Sequence, residues 1–416
     1  MTIYKIQGNI HDFSVLKPLE INNLLSPLLQ QAAQISCECS SKSAPLFVTH
    51  RAGNYHLAKT AGSAGLHAQL CKHGALTAVR AASMGYASSA LSNLNDEIVF
   101  SLDRPLKIGG ENPSVVSSNV NFQGASKAYV RTVSSRMTLL GLLHVLWERA
   151  RLHEHNPNNL LQQPIWPKLR AAAHDLRPKG RTDLAFGLSD IFLLPLHSQT
   201  ANQQARNFAK LNGARNTGSM LLFVAQFSPK DIADLLNTSQ NKYSMKSLLG
   251  VEITRYGNAP FLTNLASSFQ NEINRSQNFG DPLIAIGIAK PDSKLPYAQI
   301  SSMALMPVTG HHIPFDSSFE KDLADELINQ KRHFLKPLRF DTKQDLQVHP
   351  DFILLDVPPI DIAIEVYGMN TPSYLARKAE KIDIYTAAST NIGYWDWNAS
   401  QSPNLHAWLA SKPLPR

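Results

Sequence analysis

Cysteine is scarce: the 416-residue chain has three, an odd number. A secreted disulfide scaffold, which is short and cysteine-dense, is therefore excluded. Charge is thin as well, at 17% of residues against 43% hydrophobic, and that balance excludes wholesale disorder. Long apolar runs are missing. The longest, around Met137 to Trp147, contains His144 and is too short to span a bilayer, so no membrane partner is expected. The start, Met1-Thr2-Ile3-Tyr4-Lys5, has no basic segment leading into an apolar one. No signal peptide is read there, and the expected location is the cytoplasm, where thiols stay reduced and available to metal. No Walker phosphate loop, G-x-G-x-x-G fingerprint or G-x-S-x-G elbow occurs, and Gly62-Ser63-Ala64-Gly65 is too loose to count. A nucleotide-driven motor is not expected.

What is present begins with positive charge, a net +8 and an isoelectric point near 9.3. Much of it is local. Arg149, Arg151, Lys168, Arg170, Arg177, Lys179 and Arg181 face only Glu154 and Asp175 between residues 149 and 181, a local +5 with Trp147 and Trp166 nearby. Clustered cations on helices suit phosphate contacts and counterion release, so these seven are candidate DNA-binding residues. A solvated helical surface explains the same composition.

Punctuation divides the chain. Residues 1–108 hold all three cysteines, with short extended pieces around 35–75. Residues 109–135, rich in Gly, Ser and Asn, read as a linker. Residues 136–215 form a helical basic module, compatible with a helix-turn-helix or winged-helix-like arrangement and with many bundles. Over 216–310, buried-strand patterns at Leu221–Ala225, Leu283–Ile288 and Ala298–Met306 alternate with helices at Pro229–Leu236 and Pro260–Arg275. Residues 311–416 read as helix (Asp316–Gln330), extended (Phe334–Phe340), strand (Asp351–Leu355), a turn at Pro358-Pro359, strand (Ile360–Tyr367), helix (Thr371–Ala388) and strand (Gly393–Trp397). The expected class is α/β, an α+β multidomain chain ending in an α-β-β-β-α-β core.

Two constellations carry chemistry. Cys37-x-Cys39 and His67-x-x-x-Cys71 supply four N/S ligands, the number that closes a tetrahedral structural Zn²⁺ site. His50, His56 and His73 are rival ligands, and three incidental thiols are the plain alternative. Near the C-terminus, Asp351 opens one strand and Glu365 lies near the end of the next. Pairing of those strands around Pro358-Pro359 brings the two carboxylates together to hold Mg²⁺ or Mn²⁺ through hard oxygen ligands, with Glu320 as a third carboxylate. Tyr374, Lys378, Lys381 and Tyr385 share a helix face at i, i+4, i+7 and i+11, while Leu375, Ala379 and Ile382 are expected to face the core. Taken singly, each of these residues is ordinary.

In order, Phe319-Glu320, Pro350-Asp351-Phe352, Ile364-Glu365-Val366-Tyr367-Gly368, Tyr374 to Lys381 and Gly393-Tyr394-Trp395 resemble the PD-(D/E)xK nuclease core, a restriction-endonuclease-like fold. The chain is also similar over most of its length to uncharacterised proteins carried by plasmids and integrative conjugative elements. That similarity takes in the cysteine cluster, the Gly141-Leu142-Leu143 helix and Lys336-Pro337-Leu338-Arg339. The resemblance implies a metal-dependent nuclease-like fold joined to a zinc module and a helical module. One position departs: Tyr367 stands where the superfamily has its lysine, so either Lys378 or Lys381 replaces it or cleavage has been lost. The leading expectation is a metal-dependent DNA endonuclease of a mobile element. The alternatives are a degenerate fold that binds DNA or scaffolds conjugation, transposition or defence proteins, and a zinc-stapled interaction factor.

Overall fold

The computed structural model describes residues 3–13, 15–29, 34–39, 43–51, 54–59, 91–94, 97–108, 117–120, 131–134, 136–158, 164–178, 187–196, 202–338, 349–386 and 392–416. Helices and sheets are mixed throughout, an α/β multidomain chain that divides into the compact units 1–81 and 82–416. In the first, an antiparallel sheet of β1 (Ile3–Ile6), β2 (Asn9–Asp12), β3 (Ile35–Cys37), β4 (Ala44–Arg51) and β5 (Asn54–Lys59) runs in the order β2-β1-β3-β4-β5. Helix α1 (Pro18–Leu25) accompanies it. Tyr4, Ile6, Leu25, Ile35, Leu46 and Val48 fill its core.

The second unit opens with β6 (Leu91–Leu94), β7 (Glu97–Phe100) and the hairpin β8 (Ser117–Val120)–β9 (Arg131–Ser134). There follow α2 (Leu139–Arg149), β10 (Glu154–His155), α3 (Ile165–His174), β11 (Leu176–Pro178), β12 (Phe192–Leu193) and α4 (Gln203–Thr217). Then come β13 (Leu221–Phe227), α5 (Pro229–Leu236), β14 (Lys242–Ser244), α6 (Lys246–Leu249), β15 (Glu252–Tyr256), α7 (Phe261–Ser268), α8 (Gln270–Phe279), β16 (Leu283–Pro291) and β17 (Tyr297–Pro307). A mixed six-stranded sheet, β12-β13-β16-β17-β15-β14, is the centre of this unit. Its middle strands are apolar without alternation because both faces are covered. Helix α2 belongs to that same core: Thr138 caps its N-terminus, and eight of its eleven residues are buried, His144 among them. No helix among the described residues is long and apolar enough to cross a membrane.

Two elements differ from the sequence expectation. The helix read over Pro260–Arg275 is two helices broken at Phe269, whose φ is −125°. Ser267 and Ser268 are weak helix formers, and Ser267 Oγ bonds Asn264 O instead of leaving the turn to the backbone alone. Among the described residues, the extended piece starting at Phe334 forms a ladder at Phe334–Leu335, and Pro337 brings no N–H to continue it.

The last hundred residues form α9 (Ser318–Asn329), β18 (Phe334–Leu335), β19 (Phe352–Leu354), β20 (Ile362–Val366), α10 (Pro372–Thr386), β21 (Gly393–Trp397) and α11 (Leu405–Ser411). Sheet order is β10-β18-β19-β20-β21; β20/β21 is parallel and every other pair antiparallel. The edge strand β10 thus comes from between α2 and α3. Phe334, Phe352, Ile364, Trp395 and Trp397 pack with Leu323 and Leu327 of α9 into a separate core beneath this sheet.

Candidate active site

Strands β19 and β20 pair Phe352 with Ile364, and one further step of that register sets Asp351 across from Glu365. Opposed residues of an antiparallel pair stand on one face. Asp351 is fixed there by its Oδ2, which accepts the Val366 N–H at 2.7 Å, while its own N–H donates to Ile364 O at 2.9 Å. Glu365 is 1% exposed. Burial, and after it the charge of Glu365, push the Asp351 carboxyl up to about 6 against the pull of Lys336 and Lys381.

Helix α10 lays its polar face on this pair. Lys381 Nζ donates to both Glu365 oxygens, at 2.7 and 2.9 Å, and to His349 O at 3.2 Å. Tyr385 OH donates to Glu365 Oε1 at 2.7 Å. Lys378 instead stands 3.7 Å from Asp396 and 4.3 Å above the Tyr367 ring, a cation–π contact. Between Lys378 and Lys381, it is Lys381 that meets the carboxylate. The sequence expectation of a core-facing Leu375, Ala379 and Ile382 is reversed: Leu375 is 46% exposed, Ala379 exposed and Ile382 half-buried. The reason is that Lys381 and Tyr385 find acceptors on the sheet, so the helix turns its polar stripe inward.

Tyr367 is 3% exposed, with its hydroxyl 3.1 Å from that of Tyr394, which stacks on Tyr385 at 5.5 Å. Burial raises the Tyr367 and Tyr385 hydroxyls well above the ordinary tyrosine range, so both are donors at neutral pH.

Glu320 is engaged otherwise. It closes the first turn of α9, accepting Asp316 N–H at 3.1 Å and the Ser317 hydroxyl at 3.3 Å, and it accepts Lys336 Nζ at 2.6 Å. Lys336 is 2% exposed and also reaches Asp316 at 3.1 Å. Burial acts to lower this ammonium, but Asp316, Glu320 and Asp351 override it and hold it above the ordinary lysine range. Burial raises Glu320 to about 7, with Lys336 opposing. Sequence reasoning did not pick Lys336 or Tyr385 as site residues. The available signal was a lysine inside the apolar run Phe334-Leu335-Lys336-Pro337-Leu338.

Among the described residues, no three His, Cys, Asp or Glu side chains form a group able to hold a metal ion. Asp351 and Glu365 nonetheless fit Mg²⁺, which takes one or two protein carboxylates and completes its shell with water and substrate phosphate. The charge of Glu365 raises the Asp351 carboxyl, and such a cation relieves that repulsion.

The other expected residues lie apart. Arg149 pairs with Asp175 at 3.0 Å and Arg151 with Glu154 at 2.6 Å. Arg170 bonds the Gln203 side chain, and Lys168 and Arg177 are half-buried. Lys179 and Arg181 fall outside the described residues. So do His67 and Cys71; Cys37 is buried at the end of β3, and Cys39 two residues on is half-buried.

Residues 4–400 match a family model described as "Protein of unknown function (DUF1173)". The chain belongs to this family. The DUF1173 match runs from β1 past β21 and takes in every candidate site residue named above. No curated protein and no solved structure matches.

Proposed function

We propose that the chain is a divalent-metal-dependent DNA endonuclease whose site is Asp351, Glu365 and Lys381. One observation carries the reading: Lys381 meets Glu365 from helix α10, on the face where the strand itself offers only Tyr367. Asp351 and Glu365 hold Mg²⁺ or Mn²⁺. The bound cation supplies a Lewis acid for the scissile phosphate and a more acidic water. Lys381 keeps the Glu365 carboxylate oriented and adds positive charge beside it, while Tyr385 holds the same carboxylate from its other flank. Glu320 takes a supporting role in this scheme, bracing Lys336 behind Asp351. The sequence resemblance supports a mobile-element setting, with other mobile-element or defence proteins as partners, and a structural Zn²⁺ on Cys37, Cys39, His67 and Cys71.

The test is a cleavage assay on linear, nicked and single-stranded DNA with Mg²⁺ or Mn²⁺. Cleavage is expected and is abolished in Asp351→Ala and in Glu365→Ala; undiminished cleavage in both variants removes the assignment. A second reading, a degenerate fold that binds DNA without cutting, is favoured by the buried Tyr367–Tyr394 contact in place of the motif lysine. It predicts salt-sensitive binding and no cleavage under any divalent ion. Zinc is separate: less than one Zn per chain, in protein purified without chelator, removes the cysteine–histidine assignment.

A further inference from the structure

Arg170 on α3 and Arg206 and Lys210 on α4 gather beside β12. Arg170 donates to Gln203 Oε1. Gln203 is held by Asn207 at 2.8 Å, and Asn207 is anchored on the carbonyls of Leu194 and Leu249, each at 2.7 Å. Lys210 Nζ donates to Phe192 O at 2.8 Å. Residues 203, 206, 207 and 210 follow helical spacing and share one side of α4. Arg206 is exposed, so the group opens to solvent, while Arg170 and Lys210 are half-buried.

Arg170 and Lys210 donate to amide oxygens, which orient them without neutralising them. Burial, then the charges of Arg170 and Arg206, lower the Lys210 ammonium to about 8, with Asp190 pulling the other way. Asp190 is committed to the Gly187 N–H at 2.9 Å. Among the described residues, no carboxylate lies within ion-pair distance of the three cations. Arg149 and Arg151 differ: each faces its own carboxylate. Three like charges fixed on rigid helices repel at rest, and an anion between them reverses the sign of that interaction. Guanidinium groups match phosphate oxygens in paired geometry, and the lysine adds a point charge.

We propose that Arg170, Arg206 and Lys210 form a binding site for a phosphate-type oxyanion, brought by a nucleic-acid backbone or by a free phosphorylated ligand. The site does not depend on the nuclease reading, since it lies on other elements and needs no metal.

The experiment uses the full chain and two probes, a short DNA duplex titrated at several salt concentrations and pyrophosphate. The variants are Arg206→Gln/Lys210→Gln, the single Arg206→Gln, and Lys230→Gln/Lys242→Gln, whose lysines pair with Asp234 and Glu252, as the paired-charge control. The α4 double variant is expected to weaken one probe at least tenfold, the single variant to move the same way, and the control to change by less than threefold. Loss of duplex affinity with a salt slope smaller by about two identifies a backbone phosphate. Loss of pyrophosphate alone identifies a free phosphorylated ligand. The proposal is overturned if the wild-type chain binds neither probe, if both bind the α4 variants unchanged, or if the control loses as much. An unchanged urea midpoint for Arg206→Gln separates the effect from unfolding.

Discussion

The six-stranded central sheet and the five-stranded C-terminal sheet treat buried charge in opposite ways. In the central sheet Arg255, on β15, is fully buried, and its guanidinium donates to the carbonyls of Asp234, Asn237, Gln240 and Gly257 at 2.7 to 3.1 Å. That charge is held by backbone oxygens, with no carboxylate among the described residues acting on it. On the C-terminal sheet and the helices packed on it, Asp351, Glu365, Glu320, Lys336 and Lys381 are acids and bases facing one another, and the charges of these neighbours shift Asp351, Glu320 and Lys336. Burying ionisable groups is costly, and a chain that keeps five together has put them where mutual perturbation is useful. The contrast is why the proposed site is placed on the C-terminal sheet.

The largest expected effect tests that mutual dependence. Lys336→Met strands Glu320 beside Asp316 and is expected to lower stability by about 3–5 kcal/mol in urea unfolding. Adding Glu320→Gln to it recovers most of the loss. A single-variant cost below about 1 kcal/mol would break the comparison. Next, Lys381→Ala is expected to lower the cleavage rate about 10²- to 10³-fold, whereas Lys378→Ala, whose lysine lies on Tyr367 and Asp396, changes it less than about tenfold. Equal losses would place both lysines at the carboxylates.

Acid is the third probe. His153 is buried, and that burial lowers its imidazole to about 4, below the unfolded value near 6.5. The unfolded chain therefore binds the extra proton first. The stability held by neutral His153 is complete above pH 6.5 and is lost as pH falls towards 4, on the order of 3 kcal/mol. Burial acts to raise Glu154, but His333 and Arg151 override it and hold it at about 2, so its share is lost between pH 4.5 and 2. Unfolding midpoints across pH 7 to 4 check this, and His153→Phe should flatten the upper part of the curve. The smallest effect is steric. A Cβ on Gly287 meets the Phe223 ring at 2.2 Å, so Gly287→Ala should cost about 1–3 kcal/mol. On Gly393 the obstacle is the tip of Ile362, which can rotate, and Gly393→Ala should cost less than about 1 kcal/mol by thermal unfolding.

The α-β-β-β-α-β order was legible because local signals mark it: Ser317 caps α9, Pro358-Pro359 separates β19 from β20, and Gly393 opens β21. Asp351 and Glu365 followed from the same hairpin. Lys336 was not legible, since a lysine usually carries its charge to water and only the fold reveals three acids around it. On α10 the shared face of Lys381 and Tyr385 was legible, but the packing of its apolar residues was not, for a related reason. Hydrophobic spacing chose Leu375, while the true anchors are hydrogen bonds to Glu365 from Lys381 and Tyr385. The pairing of β10 with β18 leaves no local trace at all, because periodicity reports only on neighbours in sequence.

That edge strand sets the order of events at the ribosome. Glu154 meets His333 across 179 residues of chain, and Trp147 Nε1 reaches His312 O across 165. At about 5–20 residues per second, β10 waits roughly 10–35 s for β18 to be made. The central sheet is complete in that interval and can hold β10 in place as a ready template. The C-terminal sheet is then a late addition assembled on a finished surface, and a fragment beginning at α9 would start without its outermost strand.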